Sequence, residues 1–151
     1  MDEKKVHILV IHGPNLNMLG VREPEIYGTR TLNQINGEIV ANDKVKGADV
    51  VFFQSNYEGA IIETIQGALG IYDGIVINPA AYTHYSIAIR DAIAGVGIPT
   101  VEVHLSCINE REAFRRISVI KDVCICQISG KGVQSYIEGI EVLLEGKKSC
   151  N

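Results

Sequence analysis

Short apolar runs alternate with stretches of helical spacing along the whole chain. Residues 6–11 are almost continuously apolar, as in a strand covered on both faces. The runs at 49–55, 74–78, 99–104 and 123–128 have similar length and character. Between them the pattern changes period. Thr31 and Gln34 read as a capping box opening a helix to about Lys46, closed by Gly47. Ser55 and Glu58 read as a second box, followed by Ile61, Ile62, Ile65 and Leu69 at helical spacing. A helix from about Thr83 would bury Tyr85, Ala88, Ile89, Ala92 and Ile93. Asn109 with Glu112 would cap a short helix through Phe114. The last helix begins near Gly132 and would bury Val133, Ile137, Ile140 and Leu144.

Five strand–helix units joined by short links imply an α/β fold with a parallel sheet wound on both faces. The expectation is a three-layer, flavodoxin-like fold with a five-stranded parallel sheet in the order 2-1-3-4-5. Residues 1–151 read as one domain, with no internal repeat or linker.

Composition narrows the classes of function. The net charge of −4 and the lack of a basic patch argue against nucleic-acid binding. No apolar run is long enough to span a bilayer, and the N-terminus runs straight into a strand pattern without a signal peptide. Cys107, Cys124, Cys126 and Cys150 lack metal-ligand spacing. Cys124 and Cys126 would share a strand face as small core residues, and the expectation is a reduced, cytoplasmic protein.

Polar side chains gather where the strands end. Asn15, Arg22 and Tyr27 follow the first strand, and Gln54, Ser55 and Asn56 the second. Asn78, Thr83 and His84 follow the third, and Glu102, His104 and Ser106 close the fourth. In an open parallel sheet these carboxyl ends form one edge, where ligands bind. The loop after the first strand is no phosphate loop: it is punctuated by Pro14 and Pro24 and offers a carboxamide, a guanidinium and a phenol. Arg22 beside Tyr27 would favour the phenolate, making a base of it. Glu102 and His104, two apart on a strand, share a face. That suits a general acid oriented by a carboxylate, and equally a histidine merely held by a glutamate. His84, placed in the first turn of its helix, suits a substrate carboxylate or simple local hydrogen bonds. Arg111 and Arg115 lie four apart on one helix face. One of them could reach a carboxylate or hydroxyl in the crevice; the plainer reading, a solvated face with Glu112 and Arg116 as partners, is favoured for Arg111 and Arg116. Gly130-Lys131-Gly132 completes no dinucleotide fingerprint, and no hydrolase elbow is present.

Taken in order, these blocks resemble the type II 3-dehydroquinate dehydratases. The likeness is carried by Gly13-Pro14-Asn15-Leu16-Asn17, Leu19-Gly20, Arg22-Glu23-Pro24, Tyr27-Gly28 and Gln54-Ser55-Asn56 with Glu58-Gly59. It continues through Asn78-Pro79-Ala80-Ala81-Tyr82-Thr83-His84, Ser86, Arg90-Asp91-Ala92, Glu102-Val103-His104-Leu105-Ser106, Arg111-Glu112, Phe114-Arg115 and Ser118. The resemblance implies an anti elimination of water from 3-dehydroquinate through an enolate, in the shikimate pathway of aromatic amino acid biosynthesis, with no metal or cofactor. It makes Tyr27 the base, Arg22 its tuning residue on a mobile loop, Asn15 the enolate stabiliser and His104 the acid, oriented by Glu102. It gives Asn78, His84, Leu105, Ser106 and Arg115 to substrate binding, and has Asp91 reach a neighbouring subunit's site in a dodecamer built from trimers. Cys107 departs from the asparagine common at that position, and Cys126 stands where glycine is common. The competing reading is a non-catalytic flavodoxin-like domain that holds an anion or signals. A receiver-type domain needs clustered acids after the first strand, where this chain has His12 and Asn15.

Overall fold

The structure is a computed structural model that describes residues 4–21 and 23–150, and every side chain among them except that of Tyr27. Five strands, β1 (Val6–His12), β2 (Ala48–Gln54), β3 (Gly74–Asn78), β4 (Thr100–His104) and β5 (Cys126–Ser129), form one sheet. Their order is β2-β1-β3-β4-β5 and all pairings are parallel, as the pattern predicted. The helices are α1 (Pro24–Tyr27), α2 (Leu32–Ala41), α3 (Glu58–Gly67), α4 (Ile87–Val96) and α5 (Val133–Leu144).

Alternation along the strands splits the interior into two cores. Ile8, Val10, Val76, Val101 and Val103 meet Ile35 and Ile39 of α2 and Tyr136, Ile137 and Ile140 of α5. Leu9, Ile11, Ile75 and Ile77 meet Ile61 and Ile65 of α3 and Ile89 and Ile93 of α4. Every residue of β3 and β4 is buried; β3 is apolar up to Asn78, whereas β4 alternates Val101 and Val103 with the buried polar residues Thr100, Glu102 and His104.

Several boundaries differ from expectation. The Thr31–Gln34 capping box forms, but α2 stops at Ala41. Asn42 adopts an extended backbone and its side chain caps a 3-10 turn, Asp43–Val45. The predicted box at Ser55 and Glu58 does not form. Ser55 Oγ accepts from Tyr57 N at 2.9 Å, while Glu58 Oε2 accepts from Ser86 Oγ at 2.6 Å. Leu69, expected in the inner stripe, lies beyond α3 and is exposed. The helix expected from Thr83 is two elements: a 3-10 helix, Ala80–His84, then α4 capped by Ser86. That offset leaves Tyr85 and Ala88 exposed. Asn109 and Glu112 cap no helix with their side chains; two 3-10 turns, Ile108–Glu110 and Ala113–Arg115, occupy this stretch. β5 begins only at Cys126, so Cys124 precedes the strand. Cys126 is joined to Cys150, with Cα atoms 5.5 Å apart, which corrects the expectation of four reduced thiols. α5 returns the chain past β5 and brings the two together.

Candidate active site

The sheet register sets the site. His12 of β1 stands beside Asn78 of β3, and Ile77 beside Glu102 of β4. The three central strands therefore end together, and a cavity opens above them. Its walls include Asn15, Asn78, His84, His104, Leu105, Ser106 and Arg115, seven of the eleven residues expected to serve the site. Of the residues expected at the strand ends, Asn15, Asn78, His84, His104 and Ser106 meet here.

The loop from β1 is shaped to approach β3 closely. Gly13 N donates to Asn78 O at 2.7 Å, and a Cβ on Gly13 would lie 2.6 Å from the Pro79 carbonyl carbon and oxygen. Only glycine allows that approach. Asn15 then takes the left-handed conformation (φ 68°), which asparagine tolerates better than most residues. Its backbone N–H donates to Asn56 Oδ1 at 2.9 Å, and Gln54 Nε2 donates to Gly13 O at 3.2 Å. The polar residues after β2 thus brace the first loop rather than line the cavity. Arg22 lies outside the described residues, as does the Tyr27 side chain; the Tyr27 backbone closes α1.

Glu102 and His104 project from β4 on the α4 side. His104 Nε2 lies 2.6 Å from Glu102 Oε2, and both residues are buried, Glu102 completely. Thr83 Oγ1 donates to Glu102 Oε2, and Ser118 Oγ lies 2.8 and 3.0 Å from the two carboxylate oxygens. Burial alone would raise the Glu102 carboxyl. The donated hydrogen bonds and the imidazole of His104 outweigh it and hold the group below the usual carboxylate range. Glu102 is therefore an anion whose lone pairs are taken by His104, Thr83 and Ser118. It sits behind His104 and does not line the cavity. Thr83 and Ser118 gave no sign of this role in the chain pattern; only the packing of the 3-10 helix against the Ser118 loop reveals it.

His84 is the last residue of its 3-10 helix, not the first turn of α4, so the expected helix-terminus environment is absent. Its Nδ1 lies 2.7 Å from Ile117 O. A carbonyl only accepts, so Nδ1 carries the hydrogen and Nε2 is left for the cavity. Asn78 is nearly inaccessible but lines the cavity, and its Nδ2 donates to Tyr136 Oη at 2.9 Å. The Leu105 carbonyl accepts from Gly132 N at 3.0 Å, which pins the turn carrying Ser106. Arg115 Nε lies 2.7 Å from Glu112 Oε2, with the guanidinium 5.0 Å from the Phe114 ring centre.

Two placements depart from expectation. Arg111, read as solvated, lines the cavity, with Nη1 3.5 Å from Ser106 Oγ. The irregular backbone after Cys107 breaks the helical spacing on which the solvated reading rested. Asp91 is exposed on α4 and belongs to a separate surface depression beside Ile62, Ala92 and Val96, away from this cavity.

The family described as "Dehydroquinase class II" matches residues 6–144. A 3-dehydroquinate dehydratase of Clostridium perfringens (strain 13 / Type A) is 56% identical over 143 residues, covering 94% of this chain and 98% of that protein. One of Ruegeria pomeroyi is 52% identical over 136 residues, 90% and 91% of the respective chains. The crystal structure of a type II dehydroquinase from Butyrivibrio crossotus superposes with a TM-score of 0.90 at 52% identity, covering 94% of this chain and 99% of that one.

Proposed function

The chain belongs to the class II dehydroquinase family, whose members dehydrate 3-dehydroquinate to 3-dehydroshikimate, and from that premise we propose how its own residues carry out the reaction. The observation that carries the proposal is the buried Glu102–His104 pair at the edge of a cavity shared with Asn15, Asn78, His84 and Arg115.

Tyr27, as its phenolate favoured by Arg22, takes a proton from the carbon beside the ketone. The electrons move into an enolate, and Asn15 stabilises the developing oxyanion, through an ordered water as in the family. His104 gives a proton to the departing hydroxyl on the opposite face, completing an anti elimination. Because Nε2 of His104 is committed to Glu102, Nδ1 is the nitrogen that delivers the proton. Glu102 stabilises the imidazolium before transfer and keeps the ring in place after it. Asn78, His84 and the Leu105–Ser106 turn, together with Arg115, hold the hydroxyl and carboxylate groups. The loop bearing Arg22 closes to keep water from the enolate. The chemistry has no redox step and needs no cofactor or metal.

Asp91 completes the site of an adjacent subunit in a dodecamer of trimers. Its exposure, and that of Leu69, Tyr85 and Ile87 around α3 and α4, supports an interface there. We place the enzyme in the cytoplasm, in keeping with a biosynthetic reaction. The Cys126–Cys150 link runs against that placement, and thiol counting on freshly lysed protein decides between them.

The test is ultraviolet, because the product is a conjugated enone and the substrate is not. The purified protein should form enone without added metal or cofactor, and Tyr27→Phe should abolish turnover while still binding substrate. No absorbance change with the wild-type protein at high concentration refutes the proposed reaction; near-normal turnover by Tyr27→Phe removes Tyr27 from the base's role.

A further inference from the structure

His12 has no part in the reaction as described, yet it is completely buried at the end of β1. Its ring stacks on Phe52 with centroids 5.9 Å apart and has Tyr136 as its other aromatic neighbour. Its Nε2 lies 2.8 Å from Asn36 Oδ1, and its Nδ1 3.0 Å from Tyr136 Oη. Tyr136, also completely buried, accepts from Asn78 Nδ2 at 2.9 Å. The register explains the meeting: His12 and Asn78 are paired across β1 and β3 on the α5 face, and the Tyr136 hydroxyl reaches between them from α5.

The direction of this chain follows from what each atom can do. Asn36 Oδ1 only accepts, so His12 Nε2 carries the hydrogen and Nδ1 is bare. Burial lowers the imidazole to about 4, so it is neutral near pH 7 and has one N–H to give. Tyr136 must then donate to Nδ1, and its oxygen is left to accept from Asn78. At the other end, Asn78 Oδ1 accepts from Ala80 N at 3.1 Å, where Ala80 holds a left-handed backbone (φ 51°). Turning the Asn78 carboxamide over would set N–H against N–H at Ala80 and abandon Tyr136. One donor and one acceptor site of the carboxamide remain, on assigned sides.

We propose that Asn36, His12 and Tyr136 form a buried positioning chain that fixes the polarity of the Asn78 carboxamide, so that a polyhydroxylated substrate meets a preset donor and acceptor. The inference rests on the role of Asn78 proposed above. None of the three residues lines the cavity, so they are positioning residues, acting through Asn78.

Tyr136→Phe removes one oxygen and both of its hydrogen bonds with little change in shape. Asn78 contacts that serve ground state and transition state alike should weaken together, so KM should rise about tenfold while kcat stays within about threefold. His12→Leu should do the same. His12→Asn, whose Oδ1 can overlay the imidazole Nδ1 and accept from Tyr136, should restore KM to near the wild-type value. Combining His12→Leu with Tyr136→Phe should add little to either alone, because one chain is cut twice. An inert wild-type protein overturns the proposed reaction and this inference with it. An active wild type whose KM is unmoved by Tyr136→Phe overturns this inference alone, as does a loss confined to kcat or a His12→Asn variant as impaired as His12→Leu. Should His12→Leu fail to fold, Tyr136→Phe and His12→Asn still decide.

Discussion

Replacing Glu102 with Gln probes the centre of the site with almost no change in volume. The carboxylate accepts from His104 at 2.6 Å, from Ser118 at 2.8 and 3.0 Å, and from Thr83, all without contact with solvent. Glutamine removes the charge and keeps only one acceptor oxygen for His104 and Thr83, with its amide N–H₂ turned to Ser118 Oγ, which must then accept. Hydrogen bonds to a buried charge contribute about 1.5–3 kcal/mol each, and breaking a buried pair from one side costs about 3–5 kcal/mol. With one acceptor retained, a loss of about 3 kcal/mol is expected. A domain of this size melts about 2–4 °C lower per kcal/mol, so Tm should fall by roughly 6–12 °C. A typical domain has about 5–15 kcal/mol to lose from, so the variant stays folded at 25 °C and can be assayed there. Without its anion, His104 loses both its orientation and the partner of its protonated form. General acid catalysis contributes about 10²–10⁴-fold, and kcat should fall by an amount in that range. At 1.36 kcal/mol per tenfold this is roughly 3–5 kcal/mol of transition-state stabilisation. Enone absorbance at 25 °C gives kcat, and a thermal melt gives the stability change. A lowered Tm with kcat within about threefold of wild type would make Glu102 a structural residue only and refute the acid assignment.

Three further outcomes follow from the same structure. His12 is held neutral by burial, with a folded value of about 4 against 6.5, and its neighbours Asn36, Phe52 and Tyr136 carry no charge. The unfolded chain takes up this proton first as pH falls, so the associated stability is complete above 6.5 and is lost down to about 4; at about 1.36 kcal/mol per pH unit this is on the order of 3 kcal/mol. Urea unfolding across that window should show the slope in wild type and a flatter one in His12→Asn; parallel curves would contradict the buried neutral histidine. Gly13→Ala should lower both stability and activity, since its Cβ would press on Pro79 backbone atoms at 2.6 Å and no flexible side chain can yield; an unchanged melt would be inconsistent with the close approach. Finally, no lysine lines the cavity among the described residues, so borohydride with substrate should leave the enzyme uninactivated, and a lysine adduct found by mass spectrometry would replace the enolate route with an imine one.

Much of this was legible in the chain. Near-continuous apolar character in β1 and β3 reports burial on both faces, and burial on both faces requires helices on both sides of a parallel sheet. Polar residues placed at strand ends, Asn15, Asn78, Glu102 and His104 among them, had to converge because parallel strands all end at the same edge. Less legible were the stretches after β3 and β4. There Pro79, Ala80 and Cys107 begin 3-10 turns whose boundaries depend on tertiary contacts more than on spacing, so Arg111 lines the cavity instead of facing solvent and His84 ends a 3-10 helix instead of opening α4.

By itself the sequence determined the α/β class, a parallel sheet wound on both faces for which the order 2-1-3-4-5 was the expected topology, and which residue types stand at the carboxyl edge of the strands. Tertiary structure alone decided what lies behind them. Thr83 and Ser118 come to Glu102 from segments 19 and 16 residues away, and Asn36 and Tyr136 reach His12 across 24 and 124 residues. Hydrogen bonds of this kind leave no period in a chain, because each needs only one donor and one acceptor brought within about 3 Å by packing. That same short range is why they, and not the hydrophobic pattern, set the orientation of these groups and keep Glu102 ionised against its burial.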